Sequence, residues 1–325
     1  MATYYGTYGQ KVQYLASDPS DPQTGQVWYN STSAVLKVRA VTTSGTWATG
    51  GNLPSATTSM ASGGTQTATF VAGGEAGGPN LSATYNYNGT SWSPSGNLNT
   101  ARQSVQGCGT QTAGLAFGGY ITDNTAATEE YDGSSWTSVN SMNTARRALG
   151  NAGIQTAGLA FGGYDPAGNV AVTESYNGTS WTSGGNLNTA RRGLAGAGTN
   201  TAALGFGGYA TANSSATESY NGTSWTTTPA TLNTAGQGLG GFGTQTSALG
   251  FGARGGANTQ SELYDGTSWT ITGSLAIGRN GLRGTGNTTA GLGTGGYSPS
   301  LSSYTTATEE WTGPGTAVTQ TVTVS

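Results

Sequence analysis

Two charged residue types recur at fixed places in this chain and could do chemistry. Arg102, Arg146, Arg191 and Arg279 each precede a run of glycine and small side chains. Glu129, Glu174, Glu218, Glu262 and Glu309 each stand two residues before a Tyr or a Trp. A guanidinium and a carboxylate at matching points of successive repeats suit two tasks. They can form structural ion pairs within or between repeats, bidentate and partly buried. Alternatively, the arginines can ring a channel mouth and receive an anion. The structural pair is the preferred reading for Arg102, Glu129, Arg146, Glu174, Arg191, Glu218, Arg279 and Glu309. The first copy departs, with Ser55-Ala56-Thr57 and Tyr85 at the two places. The fifth keeps Glu262 but has Gln237 where arginine is expected.

Other chemistries lack their residues. Glutamates spaced one per repeat are too far apart for a glycosidase pair, which needs about 5–10 Å. The chain has no histidine, and Cys108 is its one cysteine. No Ser-His-Asp or Cys-His arrangement and no intrachain disulfide can form. No metal and no cofactor is expected, and the chain reads as a non-enzyme. Cys108 occupies the place of Ala152 and Ala197 in other copies, which predicts a small buried side chain. Gly-x-Gly strings such as Gly196-Ala197-Gly198 have no following helix to hold a phosphate. Eleven Lys and Arg residues form no basic tract, which argues against nucleic acid. No run of about 18 apolar residues is present to insert in a membrane. Met1 to Lys11 shows no basic segment followed by an apolar run, so no signal peptide is read there.

The elements that must position these residues follow from a repeat of about 44 residues. Its mark is Tyr-Asx-Gly-x-x-Trp, as in Tyr87 to Trp92, Tyr131 to Trp136, Tyr176 to Trp181, Tyr220 to Trp225 and Tyr264 to Trp269. Glycine is 57 of 325 residues and charged residues are 8%. Such a composition could mean disorder, but the aromatics and glycines recur at fixed places and act as backbone devices. In residues 188 to 226, small residues from Gly193 to Gly198 predict a first strand. Ala202 to Phe206 predicts a second, Thr217 to Tyr220 a third, and Thr223 to Thr226 a fourth. Asn221-Gly222 reads as a two-residue hairpin turn with both positions at positive φ. The result is a four-stranded antiparallel meander that buries its faces only by packing against copies around an axis. The Trp of each fourth strand supplies bulk where neighbouring meanders diverge.

The fold class is therefore all-β, a β-propeller of four-stranded antiparallel blades. Six copies are visible, with first strands near Ala56, Ala101, Ala145, Ala190, Ala235 and Ile277. The segment around Trp47 matches a fourth strand and would complete the last blade. A seventh blade built from residues 10 to 50 is the alternative. The Gly-Gly doublet, the Tyr before a short turn, the later Trp and the Arg opening the next copy resemble the kelch-type repeat over roughly residues 45 to 320. Gly252-Ala253-Arg254 and Glu310-Trp311-Thr312-Gly313 depart from it.

Residues 1–45 differ in character and form an expected attachment segment beside a propeller at 46–325. Gly25 to Val38 resembles a short β-hairpin module of tailed-phage virion proteins such as tail fibres. The Gly- and Thr-rich, weakly charged repeats are also similar to structural proteins of marine phages. This resemblance implies a virion protein assembled in the host cytoplasm. It would contact other virion proteins through residues 1–45.

The connections between second and third strands vary most between copies. They carry Tyr120, Asp123, Tyr164, Asp165, Tyr209, Arg254 and Tyr297, equipment for stacking on and hydrogen-bonding to a sugar or a protein surface. The expected function is non-catalytic binding of a host-surface glycan or protein by a phage tail fibre or particle-surface appendage. The alternatives are a capsid decoration protein, a glycan-degrading propeller enzyme and a cellular kelch interaction module.

Overall fold

A computed structural model describes residues 12–23, 25–41, 44–253, 259–315 and 317–322. The chain forms two compact units, Met1–Gly45 with Gly313–Ser325, and Thr46–Thr312. The larger unit stops short of the 46–325 expected from sequence, because Ala317–Thr321 pairs with Val35–Val41. The described residues form strands, bridges and turns, with no helix among them.

The larger unit holds six four-stranded antiparallel sheets. Blade I runs Ala61–Thr65, Ala68–Ala72, Thr84–Tyr87 and Trp92–Ser95. Blade II runs Gln106–Thr110, Ala113–Phe117, Thr128–Tyr131 and Trp136–Val139. Blades III, IV and V repeat this order from Gly150, Ala195 and Gly240. Blade VI takes Arg283–Gly286, Ala290–Thr294 and Thr308–Thr312 from the end of the unit. Its fourth strand, Thr46–Thr49, comes from the beginning, with Trp47 opposite Trp311. The six first strands lie side by side and close on themselves, Arg283–Gly286 packing against Ala61–Thr65. Each first strand therefore begins five or six residues after the starts read near Ala56, Ala101, Ala145, Ala190, Ala235 and Ile277, and in blade IV two residues after Gly193. The Asn-Thr-Ala-Arg segment is not strand but the connection that enters the blade.

Small residues in the first strands let six backbones crowd around one axis. A Cβ on Gly107 would lie 2.9 Å from the Ala61 side chain and from the Ser62 nitrogen. Bulk sits further out, between blades. Phe161 of blade III lies 4.7 Å from the Trp225 ring of blade IV, and Phe206 lies 4.8 Å from Trp269. Each fourth-strand Trp also donates its indole N–H to a hydroxyl on the third strand of the preceding blade. Trp225 reaches Thr173 at 2.9 Å, and Trp47 reaches Ser261 at 2.9 Å. Apolar burial and a satisfied polar tip thus fall on one side chain.

The Tyr-Asx-Gly turn differs from the expected two-residue hairpin. Tyr87 pairs with Trp92, leaving a four-residue loop between them. Asn88 Oδ1 accepts from the Thr90 and Ser91 amides at 2.9 Å, and only Gly89 takes positive φ. The Asx side chain caps the turn, so the residue itself has no need of a left-handed backbone.

The smaller unit carries a separate four-stranded sheet, in the order Gln13–Leu15, Val27–Asn30, Val35–Val41, Ala317–Thr321. Its first pair is parallel. That excludes it as a seventh meander blade. Asp18 holds the unit's polar centre. It accepts from Trp28 Nε1 at 3.0 Å and Asn30 Nδ2 at 2.7 Å, and pairs with Lys37 Nζ at 2.7 Å.

Candidate functional site

The strand 2–3 and strand 4–1 connections meet at one end of the propeller axis. There, residues Ser59, Ser104, Ala148, Gly193, Gly238 and Gly281 take left-handed backbone, with φ between 50° and 68° across the set. Their amides and carbonyls link around the axis. Ser59 N donates to Gly281 O at 2.9 Å, Gly281 N to Gly238 O at 2.8 Å, and Gly238 N to Gly193 O at 2.7 Å. Gly193 N donates to Ala148 O at 2.7 Å, and Ala148 N to Ser104 O at 3.3 Å. Between Ser104 and Ser59 no such bond forms among the described residues. Arg283 spans that break, donating Nε to Met60 O and Nη2 to Val105 O.

Above this ring lies a cavity of about 530 Å³. The residues just before the ring positions are Thr58, Gln103, Arg147, Arg192, Gln237 and Asn280. Of these, Thr58, Arg192, Gln237 and Asn280 line the cavity. Four of the six pair by backbone bridges with Tyr120, Tyr164, Tyr209 and Tyr297, and Thr58 bridges Glu75. The side chains stack in series. Arg147 sits 4.6 Å from the Tyr120 ring centre and 5.0 Å from Tyr164. Arg192 sits 4.9 Å from Tyr164 and 4.8 Å from Tyr209. Tyr297 packs on Tyr304 at 5.3 Å on the far side. Glu75 lines the same cavity, and burial pushes its carboxyl above the usual range. The Gln103 amide, oriented to donate, meets Glu75 at 3.0 and 3.1 Å.

Of the loop residues singled out from sequence, the structure thus gathers Tyr120, Tyr164, Tyr209 and Tyr297 around the axis. Asp123 is exposed in the loop that follows Tyr120. Asp165 turns back on its own loop, accepting from the Ala167 and Gly168 amides at 2.8 and 3.1 Å. Arg254 lies outside the described residues.

The repeated arginines and glutamates meet elsewhere, inside the blades. Arg102 pairs with Glu129 at 2.6 Å, Arg146 with Glu174 at 2.6 Å, Arg191 with Glu218 at 2.8 Å and Arg279 with Glu309 at 2.7 Å. All eight side chains are buried. Burial pushes each guanidinium down from its usual value, and the paired carboxylate opposes this. The pairs are not the bidentate forks expected. The second carboxylate oxygen is occupied by a backbone amide of the entering connection, as Asn143 N to Glu174 Oε2 at 2.6 Å shows. In blade V the arginine place is taken by Gly236, not Gln237, since the Gly236 carbonyl accepts from Gly208 N as the Arg191 carbonyl does from Gly163 N. Glu262 there accepts from Asn233 N at 2.7 Å and Thr234 N at 3.0 Å.

Sequence reasoning missed Arg147, Arg192, Glu75 and Tyr304. A signal was present for the first two. The doublets Arg146-Arg147 and Arg191-Arg192 contrast with Arg102-Gln103 and Arg279-Asn280, so the second residue varies while the first is kept.

No protein-family model matches the chain. No curated protein sequence matches it either. Among solved structures it is similar to one described as the structure of YjhT, with a TM-score of 0.67 and 13% identity. The likeness covers 79% of this chain and 95% of the other. At that identity the likeness shows the fold, a kelch-like β-propeller.

Proposed function

We propose that this chain is a non-catalytic binding protein, a tail fibre or surface appendage of a tailed-phage virion. The channel mouth of the propeller is its contact with a host-surface glycan or protein. The observation that carries the binding reading is the stacked series Tyr120, Arg147, Tyr164, Arg192, Tyr209, whose Arg192 lines a cavity of about 530 Å³ together with Tyr297 and Tyr304. Aromatic faces and fixed donors on the rim of a concave site are the equipment of recognition. Glu75 is the one carboxylate among the described lining residues, whereas glycoside hydrolysis uses two about 5–10 Å apart. The virion assignment rests on the resemblance of Gly25 to Val38 to a phage hairpin module. On this reading the smaller unit attaches the chain to other virion proteins.

A glycan array combined with a product assay tests the binding reading. Retained ligand without turnover, lost in Tyr164→Ala, supports it, and turnover overturns it. Copurification with phage particles tests the virion assignment.

A further inference from the structure

We propose that the mouth binds an oxyanion, the carboxylate, phosphate or sulfate group of its ligand, at the Arg192 guanidinium that lines the cavity, with Arg147 adding positive charge from the adjacent blade. The inference rests on the binding reading and adds the ligand's charge. Six equivalent places surround the mouth, and only these two, on adjacent blades, are arginine. They are therefore departures from the scaffold rather than part of it. Arg102, Arg146, Arg191 and Arg279 each have a carboxylate within 2.8 Å. Arg147 and Arg192 take part in none of the salt bridges among the described residues. Arg192 Nη1 meets a neutral side-chain acceptor, Asn169 Oδ1, at 3.5 Å.

The stacking decides which part of each guanidinium a ligand can use. Arg147 lies over the Tyr120 and Tyr164 rings, and Arg192 over the Tyr164 and Tyr209 rings. Cation–π contact holds the planar group in place, and its edge keeps the N–H donors. An edge of parallel N–H donors matches two oxygens of one oxyanion. The opposing charge stands apart. Glu75 belongs to blade I, three blades from Arg192 in a ring of six, and its near donor is the Gln103 amide. On the cationic side the carboxylate next to Tyr164 is Asp165, whose Oδ1 is taken by the Ala167 and Gly168 amides and which forms no salt bridge with either arginine among the described residues.

The test is calorimetric titration of the full chain with sodium sulfate, sodium phosphate, a sulfated or uronic-acid polysaccharide and a neutral glucan. Wild type is expected to bind at least one oxyanion, more weakly as sodium chloride rises. Arg147→Gln and Arg192→Gln should each weaken binding by about tenfold or more, and the double variant should abolish it. Arg192→Lys keeps the charge but not the fork, and should also weaken binding. Melting temperatures near wild type establish that the variants fold. Binding of the polysaccharide alone, or of the free ion as well, supports the inference and tells the sources apart. Unchanged affinity in the double variant overturns it, as does failure of every oxyanion to bind. If the neutral glucan binds and Tyr164→Ala removes it, the binding reading survives while the oxyanion inference falls.

Discussion

Arg283 Nη2 in blade VI donates to the carbonyl of Val105 in blade II at 3.2 Å, crossing blade I to do so. It does this where the backbone ring around the axis is open, between Ser104 and Ser59. The equivalent places in the other first strands are Ala61, Gln106, Gly150, Ala195 and Gly240, none long enough to reach that far. Arg283→Met should leave the Met60 and Val105 carbonyls without this donor and cost about 1–3 kcal/mol. A chemical-denaturation midpoint equal to wild type would show that the break needs no seal.

The buried pair of blade III predicts an asymmetric response to substitution. Arg146 and Glu174 are both fully buried. Glu174→Gln removes one charge and strands the other, an expected loss of about 3–5 kcal/mol. Replacing both with apolar residues of similar volume should recover much of it. Thermal denaturation of the single and double variants checks this. A double variant as unstable as the single one would contradict it.

Ala148 offers a stabilising change. It holds φ of 52° in the ring, where Gly193, Gly238 and Gly281 occupy equivalent places. Left-handed backbone costs a residue with a Cβ about 1–2 kcal/mol. Glycine's extra unfolded-state freedom offsets about 0.5–1 kcal/mol of the gain. Ala148→Gly should therefore stabilise by about 0.5–1 kcal/mol, read from the denaturation midpoint.

Closure of the ring depends on a strand from the other end of the unit. Trp47 is half-buried between Phe251 at 4.8 Å and Trp311 at 5.3 Å. Trp225, within one continuous blade, is buried more completely. Trp225→Ala should cost about 3–5 kcal/mol, and Trp47→Ala less. Hydrogen exchange separates the two cases further. Trp47→Ala should raise exchange in Thr308–Thr312 before the other blades, and uniform protection in that variant would refute local opening.

Asp18 sets an acid limit on the smaller unit. Hydrogen bonds from Lys37, Asn30 and Trp28 hold its carboxyl at about 2, below the usual aspartate range. A folded pKa below the unfolded one stabilises at pH above about 4. The contribution is lost as pH falls toward 2. The Trp28 indole N–H resonance should shift with a midpoint near 2, and Asp18→Asn should remove the transition. A midpoint at the free-aspartate value would show that the cluster does not form.

Much of the architecture was legible because repetition converts weak local signals into a strong one. Trp136, Trp181, Trp225 and Trp269 announce fourth strands by their spacing, and Trp47 announces the strand that completes blade VI. The boundaries were less legible. Arg191 reads as the start of a strand, but it is held in the entering connection by Glu218 and by the Gly207 carbonyl, a cross-strand arrangement that local pattern cannot show. Asn88 reads as a left-handed turn residue, yet its side chain caps the turn and leaves that conformation to Gly89.

By itself, then, the order of residues determined a ring of β-meanders, because side-chain periodicity and fixed glycines act on the chain locally. It also marked Arg146 and Arg147 as neighbours of one kind. Only the tertiary structure separated them. Successive residues on an extended backbone point to opposite sides, so Arg146 turns inward to Glu174 and Arg147 turns to the axis between Tyr120 and Tyr164. Which arginine is scaffold and which joins the tyrosine series depends on what surrounds the ring, and that is decided when six blades close.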